Sequence, residues 1–190
     1  MFGKCKKGLR RCGGMEKLLI LGYGAKNRSK NSPESSGKDL CAQYISNYFD
    51  LKFQSSSWFA CEHFIYDMLK DEKGYSSIEE CYNDRHSGDN RKLWYDLICD
   101  YNKNDPAKLA GELFKTNDLY VGLRSIEEFR AIQKTMDVFS LWIDATKRVE
   151  PEDTTSCTIT ADDCDVIITN NGNLEQFDNK LRRFCEMIGK

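Results

Sequence analysis

No stretch of this chain approaches the roughly 18 consecutive apolar residues that a bilayer-spanning helix requires, which excludes an integral membrane protein of that kind. Residues 1–14 also lack the apolar run of roughly 7–15 residues that a secretory signal needs. Histidine is scarce, with only His63 and His86 present. The nine cysteines include no CxxC pair and no second cluster at zinc-ligand spacing, so neither a structural zinc nor a disulfide framework is expected. Scattered through apolar stretches, they read as reduced thiols acting as small hydrophobes, and a reducing cytoplasm is the expected compartment. A charge excess is missing too. Twenty-eight basic against 30 acidic residues leave −2, which gives no global argument for nucleic-acid binding.

What is present is enough for one complete core: 190 residues, 40% of them hydrophobic and 31% charged. The near-neutral total conceals a division. Lys4, Lys6, Lys7, Arg10 and Arg11 stand in residues 1–14 without an acid, leaving 23 cations against 30 acids, a net −7, in the remainder. Residues 1–15 read as a flexible basic tail, with Met15 an alternative start directly before the first strand, and 16–190 as a single domain.

Apolar runs predict five strands: Lys17–Gly22, Leu51–Ser55, Asp118–Gly122, Val138–Asp144 and Asp165–Thr169. Helical patterns alternate with them at Gly37–Tyr48, Trp58–Leu69, near Arg91–Tyr101, after Ser125 and from Asn173 to about Ile188. Ser125 with Glu128 three residues on has the form of a capping box. The alternation predicts an α/β fold, a three-layer αβα sandwich around a five-stranded parallel sheet. The strand-free span 57–117 is read as an inserted helical region on the substrate side.

The most informative junction is strand, loop, then Ser36-Gly37-Lys38-Asp39 opening a helix. A helix N-terminus supplies converging N–H groups for an anion, glycine permits close approach, and a first-turn lysine reaches phosphate as a point charge. Against G-x-x-x-x-G-K-[ST], Ser32 replaces the first glycine and Asp39 the hydroxyl residue.

The string Gly22-Tyr23 … Ser35-Ser36-Gly37-Lys38-Asp39 resembles the G-Y-x-x-S-G-K-D phosphate loop of phage-type deoxynucleoside monophosphate kinases, in the wider P-loop NTPase class. About ten extra residues, roughly 24–34, interrupt it. They carry Lys26, Arg28 and Lys30 against Glu34, and form either an excursion on the rim or an added polyphosphate contact.

Further segments follow the same family order over roughly 16–187. Ser57-Trp58-Phe59-Ala60-Cys61-Glu62 resembles an aromatic-Ala segment beginning the nucleotide-side helix. It offers Trp58 and Phe59 for base stacking, with His63 and Tyr66 as further candidates, or else packs that helix on the sheet. Arg124, following the third strand, is the implied substrate-phosphate residue unless it pairs with Glu127 or Glu128. Arg91 heads a helix where relatives carry an arginine, and it either contacts substrate or lies on a solvated face. Asp165–Glu175 is similar to the motif D-x-V-I-x-N-x-G-x-L-E, which makes Asn170 and Asn171 adenine-edge residues, turn formers, or both. The polar segment 145–164 corresponds to a lid, with Arg148 closing over the γ-phosphate or remaining solvated.

The resemblance implies ATP and Mg²⁺ as cofactors and ATP-dependent phosphorylation of a deoxynucleoside monophosphate. Gly22, Ser36, Gly37, Lys38, Asp39 and Leu40 would cradle ATP, and Asp39 would hold the metal. Lys38, Arg124 and Arg148 would supply catalytic charge. The expected partners are small-molecule nucleotides, neither membrane nor nucleic acid, with a homodimer left open. Two alternatives stand beside this reading: a P-loop kinase for dephospho-coenzyme A or phosphomevalonate, and a nucleotide-binding protein without kinase activity.

Overall fold

The structure is a computed structural model that describes residues 10–11, 14–15, 17–24, 36–150 and 157–189. Five strands form one sheet: β1 (Lys17–Leu21), β2 (Phe53–Ser55), β3 (Leu119–Val121), β4 (Val138–Asp144) and β5 (Val166–Thr169). Their order across the sheet is β2-β3-β1-β4-β5, and every pairing is parallel. The expected five-stranded parallel sheet is therefore present, with Val138–Asp144 as expected and the other four strands shorter by one or two residues than the apolar runs. Arg10–Arg11 pairs with Gly14–Met15 in a separate two-residue antiparallel ladder, local order where the sequence suggested only a flexible tail.

The period of two along each strand divides the core. Leu18, Ile20, Phe139, Leu141 and Ile143 face α1 (Lys38–Phe49) and α8 (Leu174–Ile188), meeting Ile45, Phe177, Leu181 and Phe184. Leu19, Leu21, Tyr120 and Trp142 face the opposite layer. That layer contains the inserted region, beginning with α2 (Ser56–Ala60), a π-type turn at Cys61–Ile65 and α3 (Tyr66–Lys73). It continues through α4 (Ile78–Asp84), α5 (Asn90–Tyr101) and α6 (Lys108–Leu113), and α7 (Ile126–Thr135) follows β3 on the same side. Helices thus cover both faces, as strands buried on two sides require.

Six described cysteines (Cys41, Cys61, Cys81, Cys157, Cys164 and Cys185) are buried free thiols, and Cys99 is exposed. Burial pushes the thiols of Cys61, Cys164 and Cys185 up to about 12, so they pack as hydrophobes and are not thiolates. Among the described residues no helix is long and apolar enough to cross a membrane.

Chain reversal across the sheet places a crevice at the carboxyl end of β1, because the chain leaves β1 toward β2 at one edge while its neighbour β4 leads to β5 at the other. Open parallel sheets bind ligands at such a switch point. Gly22 occupies it with φ +146°, and a β-carbon there would lie 2.5 Å from the Ile143 carbonyl oxygen. Gly22→Ala is accordingly expected to destabilise the fold by roughly 2–3 kcal/mol. Thermal unfolding checks this, with a drop in Tm of about 5–10 °C.

Candidate active site

Lys38 begins α1, and its ammonium folds back over the loop. Nζ donates to the Gly22 carbonyl (2.9 Å), the Tyr23 carbonyl (3.1 Å) and Ser36 Oγ (3.0 Å), drawing together the two described ends of the loop. Gly37 precedes it in the left-handed region at φ 89°, and no side chain caps the helix among the described residues. The first-turn N–H groups are left for an anion, with the lysine charge beside them.

A second constraint on Gly37 comes from across the sheet. Asn170, buried just past β5, donates its amide to the Ser36 carbonyl at 3.0 Å. A β-carbon on Gly37 would stand 2.5 Å from that Asn170 nitrogen. The loop is thus clamped from behind, and this is what the Asn-Asn-Gly segment does here. Asn171 accepts from the Lys147 backbone N–H (2.9 Å) and donates to Asp144 (3.0 Å). Both side chains are engaged in holding loops together, the turn-forming role expected of them. Arg148 is exposed, donates Nε to the Asn170 carbonyl at 3.2 Å, and does not line the main cavity.

That cavity, about 630 Å³, opens between the phosphate loop and the inserted helices. Such a volume suits a ligand of nucleotide size. Ser36, Lys38 and Asp39 form one side, Val121, Gly122 and Arg124 the sheet end, and α4–α5 the opposite wall. Arg91 lines it as expected. Lys92, Arg85, His86, Tyr82, Trp94 and Tyr95 join it, none of them singled out from the sequence. Five Lys or Arg side chains thus line the cavity against two carboxylates, Asp39 and Asp89. Arg85 lies over the Tyr82 ring, 3.6 Å from its centre, so cation and aromatic face are presented together.

Two expectations are corrected. Phe59 is 2% exposed, with one face covered by the ring of the exposed His63, so it cannot meet a base. Trp58 is partly exposed, packs edge-on against Tyr82 with 4.7 Å between ring centres, and does not line the cavity. Instead Ser55, Ser56 and Ser57 face the cavity at the turn from β2 into α2. Ser55 Oγ caps that turn by accepting from the Trp58 N–H at 3.2 Å. Leu40 is exposed on α1, at 45%, outside the cavity.

The loop bearing Arg124 is held on both sides. Thr158 donates its backbone N–H to the Arg124 carbonyl at 2.9 Å, and its hydroxyl accepts from the Ile126 N–H at 2.9 Å. The stretch read as a lid is packed down where it is described, with Ala145, Val149, Cys157 and Ile159 buried. Residues 151–156 lie outside the described residues, as do Lys26, Arg28 and Lys30 of the extra loop. Ser125 caps α7 by accepting from the Glu128 N–H at 3.4 Å. The reciprocal half of the capping box is absent, because the Glu128 carboxyl turns inward to Tyr120.

Asp39 fits a magnesium role in one respect: it is an exposed carboxylate on the cavity wall beside Lys38. Magnesium keeps several waters and takes one or two carboxylates together with substrate phosphate, so a dense ligand cluster is not required. Among the described residues there is no group of three or more metal-binding side chains.

No protein-family model and no curated protein matches the chain. Among solved structures it is similar to a gluconokinase from Sinorhizobium meliloti 1021, at 10% identity and TM-score 0.47, over 92% of this chain and 95% of that one. It is also similar to an unliganded sugar kinase from Janibacter sp. HTCC2649, at 12% identity and TM-score 0.44, over 90% and 93%.

Proposed function

We propose that this protein is a kinase that transfers the γ-phosphoryl group of ATP to the phosphate of a deoxynucleoside monophosphate. The observation that carries the reading is the composition of that cavity: Lys38 at a glycine-linked helix N-terminus on one side, Arg124 at the sheet end, and Arg85, Arg91 and Lys92 with aromatic rings on the α4–α5 wall. A neutral acceptor has no use for such a cation excess. An acceptor phosphate with an attached base uses both the cations and the rings. The basic residues converge into a cavity and do not spread along a surface, which favours small nucleotides over a polyanion as partners.

Phosphoryl transfer is mainly positioning and charge neutralisation, so the residues' tasks follow from where they stand. Gly37 and the first turn of α1 cradle the donor phosphates, and Lys38 balances charge on the oxygens of the transferring group. Arg124 orients the acceptor phosphate in line, aided by Arg91. Arg148, tied to Asn170 beyond the loop, adds charge on the donor side. Asp39 is the carboxylate that would hold Mg²⁺, directly or through water, where the ion's contribution is neutralisation of phosphate charge. The solved structures named above are sugar kinases by description, and a sugar or sugar acid is the competing acceptor class.

Acceptor-dependent ADP release across dAMP, dGMP, dCMP, TMP, gluconate, dephospho-coenzyme A and phosphomevalonate separates these readings. Turnover of at least one deoxynucleoside monophosphate is expected. Turnover of only a non-nucleotide acceptor overturns the reading.

A further inference from the structure

Beneath the cavity floor lies a pair of side chains that the chemistry above does not use. Tyr120, on β3, donates its hydroxyl to Glu128 Oε1, on α7, at 3.0 Å, and both residues are buried. The four residues 122–125 that join β3 to α7 include Arg124, so the pair closes the base of the loop that carries the arginine. Thr158 fixes the same loop from its outer side through the Arg124 carbonyl. Ser56, which lines the cavity, stands against both parts: its hydroxyl is a neighbour of the Tyr120 hydroxyl and lies 3.5 Å from the Gly122 carbonyl.

We infer that Tyr120 and Glu128 are positioning residues for the acceptor anion, fixing the 122–125 loop so that the Arg124 guanidinium is presented to the cavity at a set height. This deepens the reading of Arg124 as the acceptor-phosphate residue and rests on it. A buried carboxyl with one hydroxyl partner does this work best when neutral. Glu128 is held that way, because burial pushes its carboxyl up to about 8, against which the Tyr120 hydrogen bond acts as the smaller, opposing influence. Tyr120 itself is raised well above its ordinary value, mainly by burial and then by Glu128, and keeps its proton. The groups facing Glu128 are thus the Tyr120 hydroxyl from β3, with Ser56 of α2 behind it; on its own helix the Ser125 hydroxyl is already spent on the Glu128 N–H.

The sign of the pH effect follows. Below pH 8 the carboxyl is protonated and the loop is set. Above it, a charge appears where Tyr120 is the partner and no cation stands among the described residues, and the packing must admit water or shift. A phosphate monoester is already doubly charged there, its second pKa being about 6, so the acceptor does not titrate in the same range.

The test measures KM for the acceptor and kcat from pH 6.5 to 9.5 in the wild type, Tyr120→Phe, Glu128→Gln and Arg124→Ala. The wild type should show acceptor KM rising above about pH 8 while KM for ATP stays flat. Tyr120→Phe should raise acceptor KM about tenfold at pH 7 with kcat within about twofold, a misplacement effect and not a loss of chemistry. Glu128→Gln keeps an acceptor oxygen for the tyrosine but cannot ionise, so it should hold the neutral-pH KM and abolish the alkaline rise. An unchanged acceptor KM in Tyr120→Phe, or an alkaline rise that persists in Glu128→Gln, overturns the inference while leaving Arg124 intact. If Arg124→Ala also leaves acceptor KM unchanged, the reading of the site itself fails. Should Glu128→Gln not fold, the KM-against-kcat split in Tyr120→Phe decides alone.

Discussion

Lys38→Ala is expected to lower kcat for phosphoryl transfer about 10³-fold, the scale set by removal of a preorganised charge at the reacting group. The expectation rests on where the ammonium stands. It lies at the first turn of α1, over the loop, held by the Gly22 and Tyr23 carbonyls and Ser36 Oγ at 2.9–3.1 Å. Those partners are neutral oxygens, and an entering phosphate oxygen is a stronger acceptor than any of them. Lys38→Arg should not rescue the rate. A planar fork cannot place three donors on the same three oxygens as a compact ammonium does. Single-turnover measurement with saturating ATP separates this loss from weakened binding, and thermal unfolding shows that the variant is folded. An alanine variant retaining more than a tenth of the wild-type rate would remove Lys38 from the transfer step.

Arg124→Ala carries the second large effect, on the other substrate. The side chain is half-buried at the carboxyl end of β3, lines the sheet end of the cavity, and has its backbone pinned by Thr158. A guanidinium so fixed holds two phosphate oxygens at once, and losing it should raise acceptor KM about 10²-fold. KM for ATP should change by less than about twofold, because the donor phosphates are held at the α1 terminus. Arg124→Lys should recover only part of the affinity, since the point charge survives and the fork does not. Equal losses for both substrates would mean that Arg124 supports the fold instead of gripping the acceptor.

The parts of this arrangement that could be read from the chain are those whose requirements are local. A left-handed glycine followed by lysine at a strand–helix junction is a short-range demand, and Gly37 and Lys38 meet it. The strands announced themselves as apolar runs, and the last helix begins where expected, with Asn173 capping it and Gln176 returning the bond. What was hidden depends on which layer a side chain faces. Trp58 and Phe59 looked available for a base, but at the start of α2 the serines face the cavity, Phe59 packs in the core and Trp58 meets Tyr82 edge-on. Glu128 looked like the second half of a capping box, until Tyr120, eight residues earlier, offered a buried partner from the strand.

The opposite wall shows what could have been found. Arg91, Trp94, Tyr95 and Ile98 follow helical spacing, which places them along one side of α5, and all four line the cavity. Their identity as a wall depended on knowing that α5 packs over the carboxyl end of the sheet. Tyr82 sits in the short helix α4 and Arg85 at its end, where too few residues precede the break for a periodicity to point anywhere. The opening scarcity of net charge turns out to be uninformative because the cations are concentrated: five converge on one cavity in a body that is acidic elsewhere.

The most direct test of the central claim follows the phosphoryl group itself. Incubation with ATP labelled in its γ-phosphate and each deoxynucleoside monophosphate in turn, followed by separation of the products, should place the label in the β-phosphate of a deoxynucleoside diphosphate, and Lys38→Ala should abolish that transfer. Label recovered only as inorganic phosphate, or only on a sugar or sugar acid offered in parallel, would contradict the account.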